Sequence, residues 1–552
     1  MRLGWGGNRR VLEYICAGLL FSLIIGITVF GRPLESLDEL WQYSFGSNIR
    51  KGCLPYQDIN MVTAPFSQFV GAGALWVFGD CLLVYRGLGT VLGTLCMLLF
   101  YDILRISGAE RRLAWCLSLY VCVFYSACFT YDYNYLVLFF LLAVMDSMLR
   151  PLGRHSFVIG CLAGCAVMTK QSTGLILFLA VTFLGILLWE GSGRRKWILY
   201  GAGVLLPVGS CCIWMAGQGI WADFLEYAFG GLKGFAEQNR ITAGDFFFRS
   251  GILCTLEGIL WMIILAAELR KLVLCAGIYP LPGEAGRKKI FSGNVRRKEK
   301  RLSLEGNQEG KRQSAIEGNQ ESEKQAVLRD RQEQRKTAAA GDSRELHRRM
   351  IMTGLSLAGM AVVYPITDET HFIIALFPFL IMGICELSVE KMKKEIVPMA
   401  VPIGTAAACL LISAWQIRGD EAYSGLKHLE GVRLDRDTAA QIETVNAYLA
   451  AHAADRPIYI LDGAAVLYKI PMDLYDKDYD ICNTGNWGSQ TAEEVAERLL
   501  EMDGVMLLAA EGYSVNWQVP ERFLEYIRER AVRIDHVGKY DVYLADDGEH
   551  AP

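Results

Sequence analysis

Charge is scarce in this chain. Asp, Glu, Lys and Arg make up 21 % of its 552 residues against 52 % apolar types, and mean hydropathy is positive, +0.25. A soluble protein of this size rarely has that balance, so a polytopic membrane protein is the expectation. No basic patch is interleaved with aromatics in a polar region, which excludes a nucleic-acid binder. No CxxC metal spacing occurs among the 16 cysteines, most of which lie in or beside apolar runs where Cys acts as a small hydrophobe. Only Cys53, Cys81 and Cys482 fall in regions expected outside the membrane. The first apolar run, Val11–Phe30, has no small-residue cleavage site before Arg32 and reads as an uncleaved span.

What charge there is lies unevenly. Residues 418–552 carry a net −13 and the remaining chain +9. A basic membrane body (1–417) with an acidic, separately folded tail (418–552) fits that split. Apolar runs long enough for spans fall at 11–30, 82–104, 113–130, 135–149, 156–169, 172–189, 197–216, 250–268, 351–366, 372–388 and 397–415. With the N-terminus inside, the inner loops hold Arg105, Arg111 and Arg112; Arg150 and Arg154; Arg194, Arg195 and Lys196; the 270–350 segment; and Lys391, Lys393 and Lys394. The outer turns 131–134, 170–171 and 368–371 hold a single Lys, as the positive-inside rule requires. A further span at Met61–Gly79 would invert every later loop, so that stretch is expected to lie as a helix on the outer interface. The acidic tail then falls outside as well.

Residues 284–349 are polar, lack aromatics after Phe291 and duplicate Glu-Gly-Asn-Gln-Glu at 305–309 and 317–321. They are expected to form a disordered cytoplasmic insert without a catalytic role. The tail reads as α/β. Helices are expected at 438–451 behind a capping Asp437, at 491–502 and at 520–530; strands at 457–461 and 504–509, with a closing strand at 540–544.

The loop 31–80 is the most informative segment. About fifty residues between two spans are functional or disordered, and this loop is too aromatic for disorder. It holds Asp38-Glu39, then Gly52 to Asp58, then Thr63-Ala64-Pro65. Paired acids on a short amphipathic helix at a membrane surface suit a general base or a metal ligand. Alternatively, Asp38 caps the helix and Glu39 is solvated.

The layout resembles the GT-C superfamily of polyprenyl-phosphate-sugar-dependent glycosyltransferases, in particular bacterial relatives of protein O-mannosyltransferases and of the lipid A aminoarabinose transferase. One helix is followed by a long outer loop with an Asp-Glu pair, a Gly-x-x-Pro-Tyr-x-Asp stretch and a Pro-containing interfacial helix. An outer turn with a carboxylate follows (Tyr131 to Asn134), then a small-residue helix ending Met168-Thr169-Lys170-Gln171, and late in the chain Tyr364-Pro365 with Asp368 to His371. Where close mannosyltransferases continue His-Pro-Pro, this loop reads Thr63-Ala64-Pro65. The resemblance implies a GT-C-like membrane protein of about 11 spans with an extracytoplasmic C-terminal α/β domain. It also implies inverting transfer of a sugar from a polyprenyl-phosphate donor to a lipid, glycan or protein acceptor.

In that frame Asp38 is the candidate base, and Glu39 orients it or binds a divalent metal. Lys170 pairs with the lipid phosphate; its alternative is snorkelling to the interface. Arg240 and Lys233 are weaker candidates for the same task. Asp58, Asp132, Gln171 and His371 are candidate substrate contacts, and Asp368, Glu369 and His371 with Glu39 the candidate metal ligands. A secondary transporter or lipid-linked-sugar flippase is the competing class. It is disfavoured because the halves show no repeat and the ionisable residues cluster at outer span ends. A non-catalytic scaffold would leave Asp38, Glu39 and Lys170 without a purpose.

Overall fold

The computed structural model describes residues 5–34, 37–150, 155–189, 194–231, 252–275, 344–364, 369–390, 421–453, 456–475, 477, 480, 482, 485–510 and 521–545. Two compact units are distinguished, Met1–Gly258 with Leu355–Pro552, and Ile259–Gly354.

Ten of the eleven apolar runs named above are largely helical. They give α1 (Trp5–Gly31), α4 (Leu82–Ile106), α5 (Arg111–Ser126), α6 (Tyr133–Leu149), α7 (Ser156–Val167), α8 (Gln171–Leu188), α9 (Arg194–Gln218), α11 (Ile252–Cys275), α12 (344–359) and α13 (Glu369–Glu390). The eleventh, 397–415, lies outside the described residues. Among the described residues, α4, α8 and α9, and α1 from Arg10 to Gly31, are long and apolar enough to cross a bilayer. Between α1 and α4 lie α2 (Leu37–Arg50) and α3 (Phe66–Phe78), and the short α10 (Trp221–Leu225) follows α9. At 1.5 Å per residue the 13 residues of α3 extend about 20 Å, short of the ~30 Å hydrocarbon core.

The apolar helices meet through small residues, as packing without a hydrophobic driving force demands. A Cβ on Gly160 of α7 would stand 2.2 Å from the Tyr200 carbonyl oxygen of α9, and one on Gly203 2.2 Å from that of Phe157. Phe377 of α13 packs edge-on against Phe100 of α4 (5.3 Å) and Tyr125 of α5 (4.9 Å). Leu179, Phe183, Leu205 and Ile213 stay exposed on α8 and α9, the surface a lipid-facing helix presents.

In the other unit, Arg349 of α12 pairs with Glu268 of α11 at 2.8 Å. Residues 344–349, assigned by composition to the disordered insert, are helical instead, held by Glu345–Arg348 and Glu345–Arg349 pairs at helical spacing. The rest of 284–349 lies outside the described residues.

The C-terminal part adds β1 (Glu421–Tyr423), β2 (Arg433–Asp435), α14 (Arg436–His452), β3 (Ile458–Leu461), α15 (Ala465–Lys469), α16 (Ala492–Leu500), β4 (Met506–Ala510), α17 (Glu521–Arg530), β5 (Ala531–Val537) and β6 (Tyr540–Ala545). The cap of α14 is Asp435, not Asp437: its carboxylate accepts the Thr438 N–H at 2.7 Å. Thr491 and Glu494 close a capping box on α16. The four-stranded sheet has the order β3-β4-β6-β5, with β3 and β4 parallel and the others antiparallel. The strand expected to close the sheet, β6, lies inside it. Beyond it β5 returns through a hairpin at Gly538, whose φ of 58° suits glycine. Charged residues along β5 concealed it in the sequence.

Candidate functional site

Asp38 and Glu39 open the first turn of α2, where a helix N-terminus favours acids. Neighbours one apart on a helix point in different directions and cannot serve one target. Glu39 is 2 % exposed and faces Arg86 of α4, which is fully buried. Arg86 Nε donates to Glu39 Oε1 at 3.2 Å and Nη2 to Oε2 at 3.4 Å, a two-pronged charge-assisted pair. Arg32 approaches Oε1 at 3.6 Å. The carboxylate expected to orient a base or ligate a metal is therefore engaged with arginine.

Asp38 instead shares its surroundings with Asp132, in the turn before α6. Asp132 caps that helix, accepting the Asn134 and Tyr135 N–H groups at 2.6 and 3.0 Å. Burial, then the negative charge of Asp38, pushes its carboxyl up to about 7, against the pull of those N–H groups and of Lys170. Two carboxyl groups close enough to interact, one inclined to hold its proton near neutrality, form a site with separable acid and base roles.

Lys170 stands at the start of α8, 5 % exposed. Its Nζ donates to Asn134 Oδ1 at 2.8 Å and to the Val362 carbonyl at 3.2 Å, and lies 5.4 Å from the Tyr133 ring centre. Because the ammonium can only donate, Asn134 must turn its amide nitrogen to His371 Nε2, 3.3 Å away. His371, 4 % exposed on α13, then accepts at Nε2 and carries its proton on Nδ1, a tautomer assigned from the network. Asp38, Asp132, Lys170 and His371, scattered over more than 330 positions, thus converge around the 131–134 turn.

Other candidates lie elsewhere. The Gln171 side chain serves backbone: Nε2 donates to the Val62 and Ala228 carbonyls, both at 2.7 Å, and Oε1 accepts Ala64 N–H. Asp58 accepts the Leu54 N–H at 2.7 Å, closing the tight turn in which Tyr56 takes a φ of 68°. Arg240, Lys233 and Asp368 lie outside the described residues, as does the Glu369 side chain. Among the described residues no three His, Cys, Asp or Glu side chains come together as a metal cage.

Two contributors were missed as site residues by the sequence reading. Asn134 looked like an ordinary turn residue, and nothing in its context marks it. Arg86 did carry a signal: an arginine within an apolar run is costly unless partnered.

The chain shares its fold, over its whole length, with ArnT of Cupriavidus metallidurans. The apo structure aligns at a TM-score of 0.53 and 12 % identity, covering 99 % of this chain and 100 % of that one. The structure bound to undecaprenyl phosphate aligns at 0.52 and 11 %, covering 100 % of each. At such identity the likeness is one of fold, and the fold is the GT-C membrane fold. No family model and no curated protein sequence matches the chain.

Proposed function

We propose that this chain transfers a sugar from a polyprenyl-phosphate-linked donor to an acceptor hydroxyl at the outer face of the membrane, with Asp38 as base. The observation that carries this reading is the convergence of Asp38, Asp132 and Lys170 within a fold shared with ArnT of Cupriavidus metallidurans, which was solved bound to undecaprenyl phosphate.

The chemistry asks little of an acid. The donor's leaving group is a phosphate diester becoming a monoester and departs without strong protonation. The acceptor hydroxyl attacks the anomeric carbon as the carbon–oxygen bond to phosphate breaks; its proton passes to Asp38 and the electron pair leaves with the lipid phosphate. A single displacement of this kind inverts the anomeric centre. Lys170 supplies positive charge where the phosphate gains negative charge. Asp132, raised to about 7, holds its proton in about half of the molecules near neutral pH and more below it; in that form it adds a hydrogen-bond donor beside Asp38 without a second negative charge facing the phosphate.

Sidedness follows from the basic loops: the turns 131–134 and 170–171 and the 31–80 loop share the base-poor side. The test incubates purified protein with a panel of radiolabelled polyprenyl-phosphate sugars and membrane acceptors. Transfer from one donor is expected. Turnover of none, in protein that is folded and inserted, overturns the reading.

A further inference from the structure

The linker Gly31–Leu34 leads from α1 towards the Asp38 helix and has its backbone held from two distant places. Arg86, fully buried on α4, donates Nη1 to the Arg32 carbonyl at 2.8 Å and Nη2 to the Pro33 carbonyl at 3.3 Å. Its remaining contacts are those with Glu39, the residue after Asp38. Arg433, 4 % exposed on β2, donates Nη1 to the Gly31 carbonyl at 2.8 Å. The Arg433 carbonyl accepts the Leu34 N–H at 3.0 Å, and Arg433 pairs with Pro33 as an isolated parallel bridge. Three successive carbonyls, of Gly31, Arg32 and Pro33, thus end on two buried guanidinium groups.

We infer that Arg86 and Arg433 are positioning residues that set the Asp38 helix through the 31–34 linker, and that the C-terminal region acts on the site through Arg433. Neither residue touches the reacting atoms. Guanidinium suits the task because its rigid fork meets several acceptors at once, whereas an ammonium is a single point of charge. The physical consequence is large for the contacts involved, because a reacting group displaced by about 1 Å can cost on the order of 10²-fold in rate. The C-terminal region is then no detachable module: it completes the backbone pairing of the segment before the base. The inference rests on the reading of Asp38 given above.

The experiment uses the full chain in lipid nanodiscs, comparing wild type with Arg433→Met, Arg433→Lys and Arg86→Lys. Two quantities are read: amide hydrogen exchange of a peptide covering 31–44, and kcat and KM for the lipid donor per folded molecule. Arg433→Met keeps the apolar stem and removes the fork. It is expected to speed exchange in the 31–44 peptide and to lower kcat about 10- to 100-fold with KM within about two-fold. Arg433→Lys, which retains one donor, should fall between it and wild type, and Arg86→Lys should resemble Arg433→Met. Should Arg433→Met fail to fold, the two lysine variants carry the test alone. Unchanged exchange and kcat in the folded variants overturn the clamp. Faster exchange with wild-type kcat overturns the assignment of Asp38 instead, so the two failures are distinguishable.

Discussion

Helices α4 and α6 run side by side and carry acids at both ends, but the two ends treat them differently. At their C-terminal end, Arg150 bonds both Asp146, at 2.8 Å, and Asp102, while Tyr14 also donates to Asp102. Close by, Glu13 accepts from Arg111 at 2.8 Å, from Trp115 at 3.2 Å and from Tyr101. There each carboxylate meets an arginine. At the N-terminal end, Asp132 is buried, bonds only to backbone N–H groups among its described hydrogen bonds, and lies within the field of Asp38. Matched acids hold helices together, whereas an acid held against another acid costs stability and is the pattern of a reactive site. Glu39 belongs to the first kind although it adjoins Asp38 in sequence.

That contrast can be broken one residue at a time. Glu39→Gln should cost most in stability, about 3–5 kcal/mol, because it leaves Arg86 buried without its counter-charge; thermal unfolding in detergent reads it. Lys170→Met should lower stability by about 1–3 kcal/mol, because the buried Asn134 Oδ1 and Val362 carbonyl lose their donor, and should weaken use of the lipid donor, raising KM about 10- to 100-fold through loss of a charge-assisted contact to phosphate.

Asp132→Asn sharpens the comparison through pH. A carboxyl raised in the folded state contributes stability that is complete below the unfolded value, about 4, and is lost as pH rises through about 7. From pH 5 to 7 the wild type should lose stability relative to Asp132→Asn, with a slope approaching about 1.4 kcal/mol per pH unit in the lower half of that range and fading above about pH 7. A parallel pair of stability curves would contradict the shift. Smallest of all, Thr491→Ala removes the cap of α16 and should cost about 1 kcal/mol while transfer per folded molecule is unaffected, since the side-chain bonds described for Thr491 are those of its own capping box.

Much of the fold was legible because hydrophobic length is a strong signal. The runs at 11–30, 82–104, 135–149 and 172–189 stand within a few residues of α1, α4, α6 and α8. Charge asymmetry of loops argued that 61–79 does not span; the helix α3 occupies 66–78 of that stretch. The strand β5 was not legible: its Arg533, Asp535 and His536 are exposed, so no alternating apolar pattern marks it. Within the site, Asp132, Lys170 and His371 could be named from their places at span ends, and Asp38 from its pairing with Glu39 in the long 31–80 loop. That Glu39 faces Arg86 could not, because it depends on how α2 is rotated against α4. Arg433 was equally hidden, since a backbone carbonyl leaves no trace in sequence of which side chain it will bind.

The account turns on Asp38, and one substitution reads it. Asp38→Asn keeps the side chain's size and its ability to cap a helix while removing the proton acceptor. Transfer of a labelled sugar from the accepted polyprenyl-phosphate donor should fall about 10²–10⁴-fold, with the unfolding temperature unchanged. Near-wild-type transfer by folded Asp38→Asn protein would contradict the account.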